Sequence, residues 1–349
     1  MTTDLRIAFL GTGLISSKCL QHALEAEGCT VSHVASRDRT RAEAYIKEHR
    51  IDAVAVTYEE VADSDCDAAY VTLPNSLHVG WSEKLLSAGK HVLCEKPITP
   101  WRDELERLLA LAGEQNLVWQ EAFMYPHHPQ TDKLVEIVRT AMHDPANSII
   151  GELRMIRADA ISNLGDGPHV EHRLRHTMQG GAMADVGVYP LGIARYLTGE
   201  ELGHFKVTAA PARMPEGEQH PVDGRLFLSG VFPSGVMVQV GTSIDTWGGH
   251  KLDLVGTTGR VTTGFPYWPD AERAVLLWHK GYTETEEIVI ENGGDRIEHQ
   301  FRHFAQACRG NGPIIPGHEW SLGMAGALEK IWEELAKDGW EKPVRSQGV

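Results

Sequence analysis

The chain has 349 residues, 42% of them hydrophobic and 23% charged, which is enough apolar material for a large core and predicts two domains rather than a disordered or fibrous chain. Its formal net charge of −15, with no lysine- or arginine-rich run to offset it locally, repels a phosphate backbone and excludes nucleic acid as a partner. The apolar runs, such as Ala68 to Leu73, are too short to span a bilayer, and the first residues lack the basic and apolar pattern of an export signal, so no membrane association is expected.

In chain order, Leu5 to Leu10, Thr30 to Ala35, Ala68 to Thr72, His91 to Cys94 and Leu117 to Glu121 are predicted strands separated by amphipathic helical patterns. That alternation predicts an α/β arrangement of right-handed crossovers, a doubly wound Rossmann domain over residues 1–122. From residue 123 to 349 the rhythm changes and helices become few. Arg225 to Phe232 and Val236 to Ile244 alternate apolar and polar positions around the turn Pro233-Ser234-Gly235. Lys251 to Val255, Arg260 to Thr263, Ala274 to Trp278 and Glu287 to Ile290 continue the pattern, predicting an α+β domain on an open, mostly antiparallel sheet. Helices are predicted over Arg296 to Cys308 and Glu319 to Lys337, the last of them expected to pack back on the first domain.

Cys19, Cys29, Cys66, Cys94 and Cys308 lie far apart with no CxxC pair, which argues against a disulfide framework and a thiolate zinc site and places the chain in a reducing cytoplasm. His127 and His128, and His169, His172 and His176 near helical spacing, invite a metal reading. No HExxH, cysteine pair or carboxylate pattern accompanies them, so no metal is expected.

The first strand runs into Gly11-Thr12-Gly13-Leu14-Ile15-Ser16 and then a helical pattern, which is a dinucleotide fingerprint in its required context. Gly11 permits the tight turn, Gly13 lets a pyrophosphate approach the backbone, and the small Ser16 lets the helix pack on the sheet. The helix N-terminus supplies amides and a positive dipole end. The second strand ends in Ser36-Arg37-Asp38, without an acid where ribose hydroxyls are usually bound. Ser36 and Arg37 suit a 2′-phosphate, so NADP(H) is favoured and NAD(H) stays open, with Arg37 then a solvated helix-start residue.

Lys96, in Glu95-Lys96-Pro97 at the end of the fourth of these strands, falls where open α/β sheets bind ligands. An ammonium there can stabilise a developing oxyanion or exchange a proton, although by residue type alone a surface lysine explains it as well. Asp185 and Tyr189 are four residues apart and share one face of a helix. The phenol is a proton donor and the carboxylate can orient a hydroxyl; a capping acid and a core tyrosine are the plain alternatives.

The fingerprint, Leu73-Pro74-Asn75-Ser76-Leu77-His78, Gly89 to Pro97, Glu121-Ala122-Phe123-Met124-Tyr125 and Gly180 to Tyr189, taken in that order, resemble the glucose-fructose oxidoreductase, inositol dehydrogenase and rhizopine-catabolism (Gfo/Idh/MocA) family over essentially the whole chain. Tyr189 resembles the tyrosine-bearing branch of dihydrodiol, xylose and glucose-fructose enzymes. The resemblance implies that Lys96 is catalytic and that Tyr189 and Asp185 act beside it. It also implies that Gly11, Thr12, Gly13, Leu14, Ile15, Ser36, Arg37, Leu73, Pro74, Asn75, His78, Glu95 and Lys96 hold the cofactor, and that Glu121, Phe123 and Arg173 join the catalytic residues around the substrate. One departure is Pro126-His127-His128-Pro129, where relatives often carry arginine.

The expected activity is hydride exchange between a nicotinamide and a sugar, anhydro-sugar or polyol, and the resemblance implies that residues 123–349 form a substrate-binding and oligomerisation domain whose sheet pairs copies into a homodimer or homotetramer. A glycoside hydrolase that uses a bound nicotinamide only transiently, an imine reductase and a non-catalytic sensor are the rival readings; keeping Lys96, Asp185 and Tyr189 together argues against the last.

Overall fold

The computed structural model describes residues 4–165, 167 and 170–349. Its first part runs β1 (Leu5–Leu10), α1 (Leu14–Glu25), β2 (Cys29–Ser36), α2 (Arg39–His49), β3 (Val54–Thr57), β4 (Ala68–Val71), α3 (His78–Ser87), β5 (His91–Glu95), α4 (Arg102–Glu114) and β6 (Trp119–Ala122). The strands form one parallel sheet in the order β3-β2-β1-β4-β5-β6, with the reversal of order beside β1 that defines a doubly wound sheet. β3 was not foreseen. It is a four-residue edge strand whose Val54 is exposed, so it offers little burial pattern to read.

The second part contains α5 (Pro129–His143), β7 (Leu153–Asn163), α6 (Val188–Thr198), β8 (His204–Pro211), β9 (Asp223–Val231), β10 (Met237–Ser243), β11 (Asp245–Gly256), β12 (Gly259–Thr263), β13 (Arg273–Lys280), β14 (Glu284–Glu291), α7 (Arg296–Cys308) and α8 (His318–Ala336). β7 to β14 make one sheet in the order β14-β13-β12-β11-β7-β10-β9-β8. It is antiparallel except where β7 and β10 run parallel at its centre. α5 was missed because Pro126 and Pro129 look like punctuation. Pro129 instead takes the first helical turn, where its missing N–H costs nothing, and the His128 side chain accepts the Gln130 amide as the cap.

Two compact units result. The first comprises Met1–His127, Ile297–Gly326 and Val344–Val349; the second comprises His128–Arg296 and Ala327–Pro343, so the division falls inside α8.

In the first unit β1 and β4 are buried along almost their whole length, as strands covered on both faces must be. Phe9 and Tyr70 pack on Phe301 of α7, with ring centroids at 5.9 and 5.2 Å. Trp81, Leu85, Leu105, Leu108 and Trp119 belong to a separate apolar cluster. Each such side chain contributes about 2 kcal/mol on leaving water. In the second unit Ile156, Ala158 and Ala160 of β7 are buried while Arg157 between them is exposed, and α6 lies against β7 and β10.

Candidate active site

The first unit carries the nucleotide-binding features. Gly11 has φ +130°, and a Cβ on it would run into Thr72 Oγ1, so only glycine fits where β1 turns into α1. A Cβ on Gly13 would meet nothing within 4 Å, which leaves the outer side of the loop open to a ligand. Gly13 caps α1 with no side-chain hydrogen bond, and no acid stands in the first turn to compete for an anion. Ser16 is buried; its hydroxyl donates to Gly11 O at 2.8 Å and lies 2.5 Å from Thr72 Oγ1, fixing the loop from beneath. Thr12 and Ile15 are half-buried and Leu14 exposed. This cradle, open above and supported below, fits a dinucleotide pyrophosphate.

Parallel pairing of β1 with β4 and of β4 with β5 puts their carboxyl ends on one sheet edge, so the Gly11 loop, the Leu73 to His78 segment and Lys96 share that edge, across about 10 Å of two strand spacings. Leu73 is buried, and Pro74 and Asn75 are half-buried beside a short 3-10 turn. His78 is 1% exposed. Its ring lies between Leu73 O (2.7 Å from Nε2) and Pro97 O (2.9 Å from Nδ1), bridging the two loops. Burial, helped by the Lys96 charge and opposed by the hydrogen bonds to the two carbonyls, lowers its pKa to about 4, so the neutral ring donates to one carbonyl at a time.

Lys96 is half-buried and precedes a cis proline, Pro97. Glu95 is buried and accepts the Tyr70 hydroxyl at 2.5 Å. Glu121, 1% exposed, accepts the Ile98 amide at 3.1 Å and so supports the turn that carries Lys96. Phe123 is fully buried, edge-on to Trp320 at 4.8 Å and to Tyr125 at 6.0 Å, which gives it a core position.

At the end of β2, Ser36 is buried and Arg37 exposed. The Asp38 carboxylate accepts both the Thr40 amide (2.9 Å) and the Thr40 hydroxyl (2.6 Å) as the cap of α2, so the one acid beside Arg37 is occupied. Burial raises the pKa of Tyr58, partly offset by the charges of Arg37 and Arg41 and a hydrogen bond with Ser36.

In the second unit, Asp185 and Tyr189 do not lie on a plain α-helix. Met183–Gly187 form a π turn that leads straight into α6, so Asp185 stands in the wider turn and Tyr189 in the first turn of α6. Single π turns of this kind recur at functional sites. Asp185 Oδ1 pairs with Arg173 Nε at 3.0 Å, which joins two of the sequence-predicted residues. Tyr189 stacks on Tyr267 at 5.5 Å and tilts against Trp268 at 5.1 Å.

Asp223, at the start of β9, holds this turn from below and was not foreseen. It is completely buried and accepts the Met183 amide at 2.7 Å. Gly181, at φ +115°, leaves it room; a Cβ there would collide with the carboxylate. Burial raises the Asp223 pKa from 3.8 to about 7. The only sequence signal was an acid two residues ahead of the alternating segment Arg225 to Phe232.

The histidines divide between the units. His127 Nδ1 lies 2.9 Å from His303 Nδ1, with His299 Nδ1 on His127 O at 3.0 Å. His128 caps α5, His176 contacts Lys342 O at 2.9 Å, and His169 lies outside the described residues. No metal-binding cluster occurs among the described residues. Trp247 is strongly exposed, whereas Trp268 packs on Tyr189 and His250, and Trp278 donates to Ile149 O at 2.9 Å.

Residues 5–123 match the profile of an oxidoreductase family with an NAD-binding Rossmann fold, and residues 139–262 match the GFO/IDH/MocA C-terminal domain. The chain is 30% identical to dTDP-3,4-didehydro-2,6-dideoxy-alpha-D-glucose 3-reductase of Actinomadura kijaniata, over 91% of this chain and 90% of that protein. It is 29% identical to D-xylose 1-dehydrogenase (NADP(+)) 2 of Haloferax volcanii, over 94% and 97%. A solved structure of a 3-ketoreductase from Actinomadura kijaniata, with NADP and TDP-benzene, superposes with a TM-score of 0.84 at 27% identity, covering 94% of this chain and 97% of that one. No helix among the described residues is long and apolar enough to cross a membrane.

Proposed function

The chain belongs to the Gfo/Idh/MocA oxidoreductase family, and from that premise we propose that it interconverts an alcohol and a carbonyl on a sugar or polyol with NADP(H), NAD(H) serving less well. The observation that carries this reading is the shared sheet edge on which the Gly11 loop and Lys96 stand. When bound, the nicotinamide supplies or accepts the hydride.

Lys96 and Tyr189 act in one step on the substrate oxygen. In the oxidative direction Tyr189, ionised to its phenolate, takes the hydroxyl proton and becomes the phenol, while the Lys96 ammonium stabilises the negative charge on the oxygens; in reduction the phenol donates that proton to the substrate oxygen and is left as the phenolate. Asp185, paired with Arg173, orients the substrate hydroxyls and sets the field around the phenol. Gly11, Thr12, Gly13, Leu14 and Ile15 receive the pyrophosphate, Ser36 and Arg37 the 2′-phosphate, and Leu73, Pro74 and Asn75 line the cofactor cleft. The occupied Asp38 carboxylate supports the preference for NADP(H), as do relatives and a structural neighbour whose names carry NADP.

A second copy of the chain docks on the face of the eight-stranded sheet that exposes Phe227, Met237 and Leu277, and the enzyme works in the cytoplasm, in keeping with five cysteines that form no disulfide. The test is turnover: the purified protein, given NADP+ or NADPH and a panel of pentoses, hexoses, inositols and their keto forms, changes nicotinamide absorbance with at least one pair. Sugar-bond cleavage without net absorbance change, or no binding of NADP(H), contradicts the proposal.

A further inference from the structure

Residues 344–349 lie far in sequence from the cofactor loops, yet they are bonded to both segments of the first unit that carry them. The Gln347 amide donates to Ser76 O at 2.8 Å, inside the Leu73 to His78 segment. A Cβ on Gly80, in the first turn of α3, would run into Gln347 O and press on Val349, so the segment passes directly over that turn. The other anchor is Glu104, a carboxylate on α4 that is 4% exposed. Its Oε1 accepts the Ser346 amide at 3.2 Å, and its Oε2 accepts the Ser346 hydroxyl at 2.7 Å and the Thr99 hydroxyl at 2.6 Å.

Thr99 is three residues beyond Lys96 and is itself buried, and its oxygen also accepts the Trp101 amide at 3.1 Å. The Trp101 indole donates to Val344 O at 3.2 Å, and the Arg345 guanidinium lies 4.3 Å over the indole ring while pairing with Asp103. A buried carboxylate with three donors is a costly feature to maintain unless all of them are present. This one spends its lone pairs on joining a distant segment to the turn that follows Lys96.

We propose that residues 344–349 are a positioning strap. Working through Glu104 and Thr99 it fixes the Lys96 to Thr99 turn, and through Gln347 it fixes the Ser76 backbone, so that the catalytic lysine and the Leu73 to His78 wall of the cofactor cleft keep one spacing. His78, whose ring lies between both walls and donates to one at a time, is the internal counterpart of this external tie. The strap touches no reacting atom; it acts through the residues it holds. The inference rests on Lys96 and the cleft serving the reaction proposed above.

The test removes residues 344–349 and, separately, makes Glu104→Ala and Glu104→Gln. NADP(H) affinity is read by nicotinamide fluorescence, turnover by absorbance and folding by far-UV circular dichroism and thermal unfolding. The deletion is expected to lower kcat by about 10- to 100-fold and NADP(H) affinity several-fold, with the sheet signal retained and substrate KM moved less than kcat. A synthetic peptide of residues 344–349 added in trans restores kcat saturably. Glu104→Gln, which keeps an acceptor for the Ser346 amide, retains most of the turnover that Glu104→Ala loses. If the deleted protein binds NADP(H) and turns over within twofold of the intact chain, or if its losses only follow the unfolded fraction and the peptide restores nothing, the strap is refuted. An intact chain that neither binds nor reduces the nucleotide refutes instead the function on which the strap rests.

Discussion

The two units support their functional residues in opposite ways. In the first, the residues assigned to the cofactor and Lys96 stand at the carboxyl ends of adjacent parallel strands, and the backbone does most of the placing: a glycine turn, a 3-10 turn and a cis-proline turn follow β1, β4 and β5. In the second, Asp185 and Tyr189 ride on a π turn and the helix it opens, held by one fully buried acid, Asp223. Motifs carried by backbone turns are contiguous in sequence and read directly. A turn held by a carboxylate some forty residues away is not.

The largest expected effect tests the chemical half of this comparison. Lys96→Met lowers kcat by about a thousandfold while NADP(H) binding and the unfolding midpoint stay close to those of the intact chain. Retention of kcat within tenfold removes Lys96 from the chemistry. Tyr189→Phe, which keeps the packing on Tyr267 and Trp268, lowers kcat by about a hundredfold. An unchanged kcat would make the tyrosine a packing residue of the second unit and nothing more.

Arg37→Asp weakens NADP(H) binding by about 10- to 100-fold, the worth of a charge-assisted contact, and changes NAD(H) binding little, as measured by titration of both nucleotides. Equal losses for the two would leave Arg37 as a solvated residue at the start of α2.

The smallest effect sharpens the comparison most, because the two buried titratable braces respond to pH in opposite directions. Burial lowers His78 in the first unit from 6.5 to about 4, so the unfolded chain binds the proton more tightly, and its contribution to stability is lost as pH falls through that window. Asp223 in the second unit is raised from 3.8 to about 7, so the folded chain binds the proton more tightly, and its contribution is lost as pH rises through that window. Denaturant unfolding across pH 4 to 7 should therefore show Asp223→Asn flattening the loss towards neutral pH and His78→Gln flattening the loss towards acid. The same slope in both variants would mean that neither group is the brace its burial makes it.

Legibility followed the range of the contacts. β1, β5 and α7 were read to within a residue because local pattern determines them: short, mostly apolar runs for buried parallel strands and a 3.6-residue period for the helix. The Gly11 fingerprint and the position of Lys96 were legible for the same reason. α6 was not, because Pro190 and Gly192 lie inside it and it is buried nearly all round, so no polar face marks its period. The π turn, Asp223 beneath it, and the strap's anchor on Glu104 depend on partners 40 and 242 residues away, and no local pattern encodes them.

The most direct measurement is a double-mutant cycle on kcat with Lys96→Met, Tyr189→Phe and the pair combined, with NADP(H) binding checked in each. If both groups serve one substrate oxygen in one step, the double variant is no more than a few-fold slower than the worse single variant. Losses that multiply in full would show two groups working independently and would contradict the shared step.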